Sequence, residues 1–300
     1  MIYVMGHRNP DSDSICSALV TADWLNHLGK PATAVRLGDI SPETAYILKQ
    51  AGINQPELLA DELNDKQVWL VDFSDVEQGP PSLAFSDIVG IIDHHRLGTV
   101  ITRNPPDVWI RAVGCCATVL WQILTLESTL PISATQATLM LGAILSDTVA
   151  LTSSTTTQQD IAAVHALSAL SHRDYDLFVQ GLLAAKTDLS GQTPMSLLMK
   201  DAKRYQISGL SVLISQIEVA SLSAIDSMLP DLLAALAVQS KEPGLAIALL
   251  VITDIFQQNS TLYFSGNNVL DLASLSLPNA ISRKKEILPW LTTAVSLAIR

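Results

Sequence analysis

Short apolar runs alternate with amphipathic stretches over the first half of the chain. IYVMGH (2–7) predicts a buried strand, and the loop RNPDSDS after it carries an Asn-Pro turn signal. Ser14 is the expected N-cap of a helix through ICSALVTADWLNHLG that ends at Gly29. ATAVRLG (32–38) predicts a second strand. In SPETAYILKQAG, Ser41 is the expected cap and Pro42 the first helical residue; Thr44 stands where a capping box needs Glu or Gln. QVWLVDFSD (67–75) and DIVGIIDHH (87–95) predict two more strands, each ending in carboxylate or imidazole. Such alternation predicts an α/β domain built on a mainly parallel sheet flanked by helices.

From Cys115 to about Ala185 the pattern turns helical, through ATVLWQILTLE and TQATLMLGAILSD. The polar segment Ala184–Thr193, with a Ser-Gly breaker before Pro194, reads as a linker. The expected division is a domain over 1–186, a linker over 187–193 and a smaller α/β domain over 194–300. In the latter, YQISGLSVLISQIEV predicts a hairpin turning at Ser-Gly, and SAIDSMLPDLLAALAVQS a helix interrupted by proline. GLAIALLVITDI and STLYFSG complete a small mixed sheet. There is no internal repeat and no low-complexity tract.

Composition excludes whole classes. Of 300 residues, 48% are hydrophobic and 16% charged, which rules out intrinsic disorder. A mean hydropathy of +0.32 raises the question of membranes. The longest apolar run, Leu245–Ile252, is less than half of the roughly 20 residues a membrane helix needs. MIYVMGHRNPD reaches charge and proline too early for a signal peptide, so a soluble protein is expected. Cys16, Cys115 and Cys116 form no Cys-x-x-Cys and cannot all pair, so a reducing, cytoplasmic compartment is expected and thiolate zinc is not. The net charge of −11 argues against nucleic-acid binding. Residues 1–190 hold 10 basic and 21 acidic side chains and the rest holds 8 of each, so all the excess carboxylate lies early in the chain.

Four places carry candidate chemistry: Gly6-His7-Arg8-Asn9-Pro10-Asp11-Ser12-Asp13-Ser14; Asp72 at the end of VWLVD; Asp93-His94-His95 at the end of VGIID; and Ser146-Asp147-Thr148 after an apolar helix. Each has a plainer reading taken alone: turn formers, a strand terminus, a surface pair of histidines, a cap. In an open parallel sheet, however, the carboxyl ends of the strands line one crevice, where ligands bind. Carboxylates and imidazoles without thiolate suit Mn²⁺, Mg²⁺ or Co²⁺. His27, His165 and His172 fall on helix-like stretches and read as structural.

His-x-x-x-Asp-x-Asp, a strand-terminal Asp, Asp-His-His and a later Ser-Asp, in that order, resemble the motifs of the DHH phosphoesterase superfamily. GHRNPDSDS together with Ser282-Arg283-Lys284-Lys285 resembles, within it, the family II (manganese-dependent) inorganic pyrophosphatases. The resemblance spans nearly the whole chain. It implies two domains with the active site in the cleft between them, closing over substrate. It also implies two Mn²⁺ per subunit, with Co²⁺ or Mg²⁺ as alternatives and additional Mg²⁺ arriving with pyrophosphate. His7, Asp11 and Asp72 match the ligands of one metal; Asp13, Asp72, His94 and Asp147 match those of the other, with Asp72 shared. A water or hydroxide bridging the metals would attack the substrate. Asp93 would hold an imidazole in place, as metal-bound histidines usually require, His95 would face phosphate, and Lys203, Arg283 and Lys284 would bind phosphate. A homodimer through the N-terminal domain is implied as well.

One departure stands out. The family generally follows its shared Asp with His-Asn-Glu, whereas this chain reads Phe73-Ser74-Asp75. The chain is also too short for the nucleotide-binding insert some members carry, so control by adenine nucleotides is not expected. Rival readings are an exopolyphosphatase or another DHH-type phosphodiesterase, and a non-catalytic metal- or phosphate-binding module. The first would lack SRKK or show an aromatic-lined groove, and aromatics are only 5% here. The second would have lost a ligand position, and none is missing.

Overall fold

The computed structural model describes residues 1–128, 130–266 and 269–299. The chain divides into two compact units, Met1–Ala185 and Lys186–Arg300. The first begins with β1 (Ile2–Met5), α1 (Ser12–His27), β2 (Ala32–Arg36), α2 (Pro42–Ala51), β3 (Glu57–Leu58) and β4 (Gln67–Val71). It continues with β5 (Asp87–Asp93), β6 (Asp107–Ile110), α3 (Cys116–Leu126), α4 (Ala134–Asp147), α5 (Gln158–Ser171) and α6 (Tyr175–Lys186). Among the described residues its strands form a six-stranded sheet, parallel throughout, in the order β3-β2-β1-β4-β5-β6.

Neighbouring residues of the central strands serve opposite faces, as strand geometry requires. Val4, Val71 and Ile92 join the core formed with α1, α3, α4 and α5, while Met5, Leu70 and Ile91 pack with Leu63, Phe73 and Leu83. Burial on both faces explains why these strands read as continuous apolar runs. The strand order reverses direction between β1 and β4, the switch point at which such sheets open a crevice beyond their carboxyl ends. β1, β4 and β5 are adjacent there, which brings the loops after Met5, Val71 and Asp93 side by side.

The second unit holds α7 (Pro194–Lys200), β7 (Ala202–Ile207), β8 (Leu210–Val219), α8 (Leu229–Gln239), β9 (Leu245–Asp254), β10 (Asn259–Gly266), β11 (Ser274–Pro278) and α9 (Leu288–Ala298). Its five-stranded sheet, β11-β10-β9-β8-β7, is mixed: β8 and β9 run parallel and the other pairs antiparallel. Leu197, Leu232 and Leu236 of α7 and α8 cover one face, and Leu291 and Val295 of α9 the other. Ser208 and Gly209 turn the β7–β8 hairpin with φ of 50° and 82°, the left-handed pair that suits a tight two-residue turn.

Three local expectations change. Asp11, not Ser14, caps α1: its side chain accepts from the Ser14 amide, and the helix starts at Ser12. Pro230 starts α8 in its first turn and does not interrupt it; a separate 3₁₀ turn covers Leu222–Ile225. The strands β3, β6 and β11 were not expected. β3 spans two exposed residues, and β6 is a four-residue edge strand with none of its residues fully buried, so neither carries the buried apolar run of the central strands.

Candidate metal centre

Gly6 ends β1 in close contact with α1. A Cβ at Gly6 would lie 2.4 Å from the Ser14 Cβ, so only glycine lets the strand end approach the first turn of that helix. The approach delivers the Ser14 hydroxyl to Asp72, whose Oδ2 accepts from it at 2.8 Å. Asp72 leaves β4 in a left-handed conformation, φ 66°, which costs roughly 1–2 kcal/mol in a non-glycine residue but which Asp tolerates better than most. Its amide still donates to the Ile92 carbonyl at 2.9 Å, so the side chain swings aside while the backbone stays tied to β5.

The Asp72 carboxylate therefore lies buried between two imidazoles. Its Oδ2 is 3.3 Å from His7 Nε2 and its Oδ1 is 3.3 Å from His94 Nε2. His7 Nε2 also lies 3.4 Å from Asp11 Oδ2. Around His94 Nε2 stand Asp147 Oδ2 at 3.9 Å and Asp13 Oδ2 at 4.0 Å. His94 Nδ1 lies 3.1 Å from the Val113 carbonyl, which can only accept; Nδ1 is therefore the donor, and in the neutral ring Nε2 keeps its lone pair toward the carboxylates.

Asp13 is fully buried on the first turn of α1. Its carboxylate accepts from the Ser17 hydroxyl and from the Cys116 and Ala117 amides, and so serves as the partner of the N-terminus of α3. Asp93, also fully buried, accepts on Oδ1 from the His94 and His95 amides and from His95 Nδ1, and on Oδ2 from Ser74. The ring it holds is thus that of His95 and not, as expected, that of the metal-site His94, whose Nδ1 goes to Val113; the two rings meet edge to face at 4.2 Å.

The electrostatics are those of a site that wants a cation. Burial alone would lower His7, but Asp11 and Asp72 push it up to about 10. Burial is likewise overcome at His94, which the hydrogen bond and charge of Asp72 push up to about 9. Asp13 moves the other way, up to about 7, through burial and then repulsion from Asp72. Burial also opposes charge on Asp72, yet the bonds to His7 and His94 hold it well below the usual carboxylate range. Asp72 Oδ1 is nevertheless buried without a well-formed hydrogen bond. Two sets of three donors, His7-Asp11-Asp72 and Asp72-His94-His95, each bring ligand atoms within 4.8 Å of one another. Convergent oxygens, an imidazole with a fixed lone pair and an orphaned buried carboxylate oxygen fit divalent metal ions well.

A third set, Asp13-Cys115-Asp147, brings in a thiol that sequence reasoning passed over. Only the placement of α3 brings Cys115 there, and no spacing in the chain announces it. All three cysteines are free and buried, and burial raises their pKa well above the ordinary thiol value. Such thiols are poor nucleophiles.

The basic residues lie in the second unit. Lys203 is exposed on β7 opposite Ile214, and Lys284 is exposed in a π-helical turn over Arg283–Ile287 that leads into α9. Arg283 is only 8% exposed. Its guanidinium donates to the Asp201 carbonyl at 2.6 Å and to Asp201 Oδ1 at 2.7 Å, a planar fork already formed. The Ser282 hydroxyl accepts from the Lys285 amide, and Glu286 reaches back to the Ile281 and Ser282 amides, which clamps the turn from both ends.

Comparison with known proteins agrees with this geometry. The model of the DHH family N-terminal domain matches residues 1–144, and that of the DHHA2 domain matches residues 180–294. The manganese-dependent inorganic pyrophosphatase of Methanothrix thermoacetophila is 34% identical over 306 residues, covering 98% of both chains. The chain belongs to the family II, manganese-dependent inorganic pyrophosphatases. A Brevibacillus brevis relative in this family is 35% identical over 301 residues, 96% of each chain. A family II structure from Methanococcus jannaschii superimposes with a TM-score of 0.86 at 32% identity, over 99% of this chain and 100% of that one. The fold alone is shared with an exopolyphosphatase-related protein from Bacteroides fragilis, TM-score 0.55 at 14% identity. No described helix is long and apolar enough to cross a membrane.

Proposed function

We propose that the protein hydrolyses inorganic pyrophosphate to two orthophosphates at a pair of divalent metal ions, Mn²⁺ above all. The observation that carries this reading is Asp72: one carboxylate oxygen faces His7 and the other faces His94, the placement of a ligand shared by two neighbouring metals. His7, Asp11 and Asp72 would hold the first. Asp13, Asp72, His94 and Asp147 would hold the second. Bound there, the ions lower the pKa of water to make a nucleophile and neutralise phosphoryl oxygens. Imidazole among the ligands favours Mn²⁺ or Co²⁺ over Mg²⁺.

The protein's own groups supply the rest. Ser14 and the backbone tie to Ile92 fix the Asp72 carboxylate, and the Val113 carbonyl sets the His94 tautomer, so the ligand atoms are in place before any ion arrives. His95 is held through Nδ1 by Asp93 and offers its Nε2 edge to a phosphate oxygen. Arg283, Lys203 and Lys284 are assigned to the phosphates of the substrate. The first acts as a planar fork oriented by Asp201, the other two as compact charges that offset the negative charge built up on the leaving group.

Phosphate release from pyrophosphate, tripolyphosphate and a dinucleotide, each with Mn²⁺, Co²⁺ or Mg²⁺, tests the reading. Pyrophosphate with Mn²⁺ or Co²⁺ should be cleaved fastest. Equal or faster cleavage of tripolyphosphate or the dinucleotide would move the chain to another branch of the superfamily.

A further inference from the structure

The segment in which this chain departs from the family pattern, Phe73-Ser74-Asp75, is built into the site in its own way. Phe73 is buried in the apolar core beneath the sheet. Asp75 accepts from the Thr99 amide at 3.1 Å. Ser74, only 4% exposed, donates from its hydroxyl to Asp93 Oδ2 at 3.0 Å, with the Arg96 carbonyl a longer second acceptor at 3.4 Å, and accepts from the Gly98 amide at 3.0 Å. Its own carbonyl accepts from the Val100 amide at 3.1 Å. A Cβ at Gly98 would lie 2.3 Å from that carbonyl oxygen, so the loop after His95 lies directly on the extension of β4.

The geometry of Asp93 gives the hydroxyl its significance. Oδ1 is pinned by three donors, namely the His94 amide at 2.8 Å, the His95 amide at 3.0 Å and His95 Nδ1 at 3.0 Å. None of these three bonds reaches the other oxygen. The bond from Ser74 holds Oδ2, so that both oxygens, and with them the plane of the carboxylate, are tied. A fixed plane gives the Nδ1–H of His95 a lone pair in a defined direction, and the opposite ring edge, with Nε2, then has a defined direction too. We propose that Ser74 is a positioning residue for His95, acting through the plane of Asp93. The proposal rests on the reading above in which His95 meets substrate phosphate. It makes the departure from the family pattern a working part of this enzyme.

A double-mutant cycle in the full-length, Mn²⁺-loaded protein tests it. Ser74→Ala should lower kcat/KM by roughly one to two decades, the worth of a hydrogen bond to a charged group. In a His95→Ala background the same change should cost less than about twofold, the usual error of additivity. Mn²⁺ affinity, read by titration, should be unchanged by Ser74→Ala. Equal losses in both backgrounds, or a fall in Mn²⁺ affinity that accounts for the lost activity, would overturn the proposal. Should Ser74→Ala fail to fold, Ser74→Cys and Ser74→Thr carry the test. The thiol is a weak donor of similar shape and should behave as alanine does, while threonine keeps the hydroxyl and should stay close to wild type. Threonine as impaired as cysteine would equally overturn it. A wild-type protein without pyrophosphatase activity would defeat the functional reading itself, whereas an active wild type with an additive cycle defeats only the role of Ser74.

Discussion

The two units hold their charged side chains by different means. In the first, the carboxylates and imidazoles sit at the ends of adjacent parallel strands or on the helices beside them, and buried hydrogen bonds fix three of them: Asp13 by two amides of α3, Asp72 by Ser14, His94 by Val113. In the second, Lys203 and Lys284 are exposed, while Arg283 is buried and locked by Asp201. The contrast has a physical cause. A cluster of like-charged oxygens must be assembled against its own repulsion, which needs a rigid frame. Exposed cations repel no such neighbours and need no comparable frame, whatever anion they are proposed to bind.

The largest expected effect comes from breaking the rigid side at its centre. Asp72→Asn should abolish tight binding of both metals and lower kcat by at least two to three decades, on the order of losing a preorganised electrostatic stabiliser. His7→Gln should weaken chiefly one metal. Metal analysis and calorimetric titration of both variants distinguish the two outcomes, and two tight metals in Asp72→Asn would contradict the shared role.

In the second unit, losses should be smaller and should leave metal content alone. Arg283→Lys keeps the charge but breaks the fork to Asp201, and Lys284→Ala deletes a point charge. Each should cost roughly one to two decades in kcat/KM. Steady-state kinetics and metal content measured on the same samples check this. Wild-type kinetics in both would take the second unit out of the chemistry.

Protons sharpen the comparison further. In the metal-free protein His7 holds its proton up to about 10, His94 up to about 9 and Asp13 up to about 7. On the proposed ligand set a metal needs all three deprotonated, so uptake near neutral pH should release protons, and affinity should rise with pH. Each displaced proton contributes up to about tenfold per pH unit below the pKa of its group. Titration in a weakly buffered solution with a pH indicator reads the release directly. The cations of the second unit should add nothing to it.

The smallest effect is structural. Glu286→Ala removes the acceptor for the Ile281 and Ser282 amides and should cost about 1 kcal/mol, as losing a cap does. Thermal unfolding should register it in the second unit, with metal binding untouched.

Much of this was legible in the chain. β1, β4 and β5 are continuous apolar runs that stop on Asp or His, and a parallel sheet buried on both faces leaves no other pattern. The strand-end motifs followed from them. What could not be read depends on distant partners. Asp11 and Ser14 are both good caps, and the choice is made by Asp72, which takes the Ser14 hydroxyl from 58 residues away. A run of basic residues does not disclose that Arg283 is buried against Asp201, 82 residues earlier. Cys115 enters the site only because α3 does. For β11 the signal was present, since SLSLP alternates in the chain as it does in burial.

The partnership of Asp13 with α3 has a further consequence. That helix begins three residues after Val113, whose carbonyl sets the proton on His94. A change at Asp13 therefore damages two things at once: it removes an oxygen from the crevice and lets go of the helix start that keeps Val113 in line. The error then returns to the crevice through His94 by a second route. Asp13 and His94, 81 positions apart in the chain, are thus tied through one helix start.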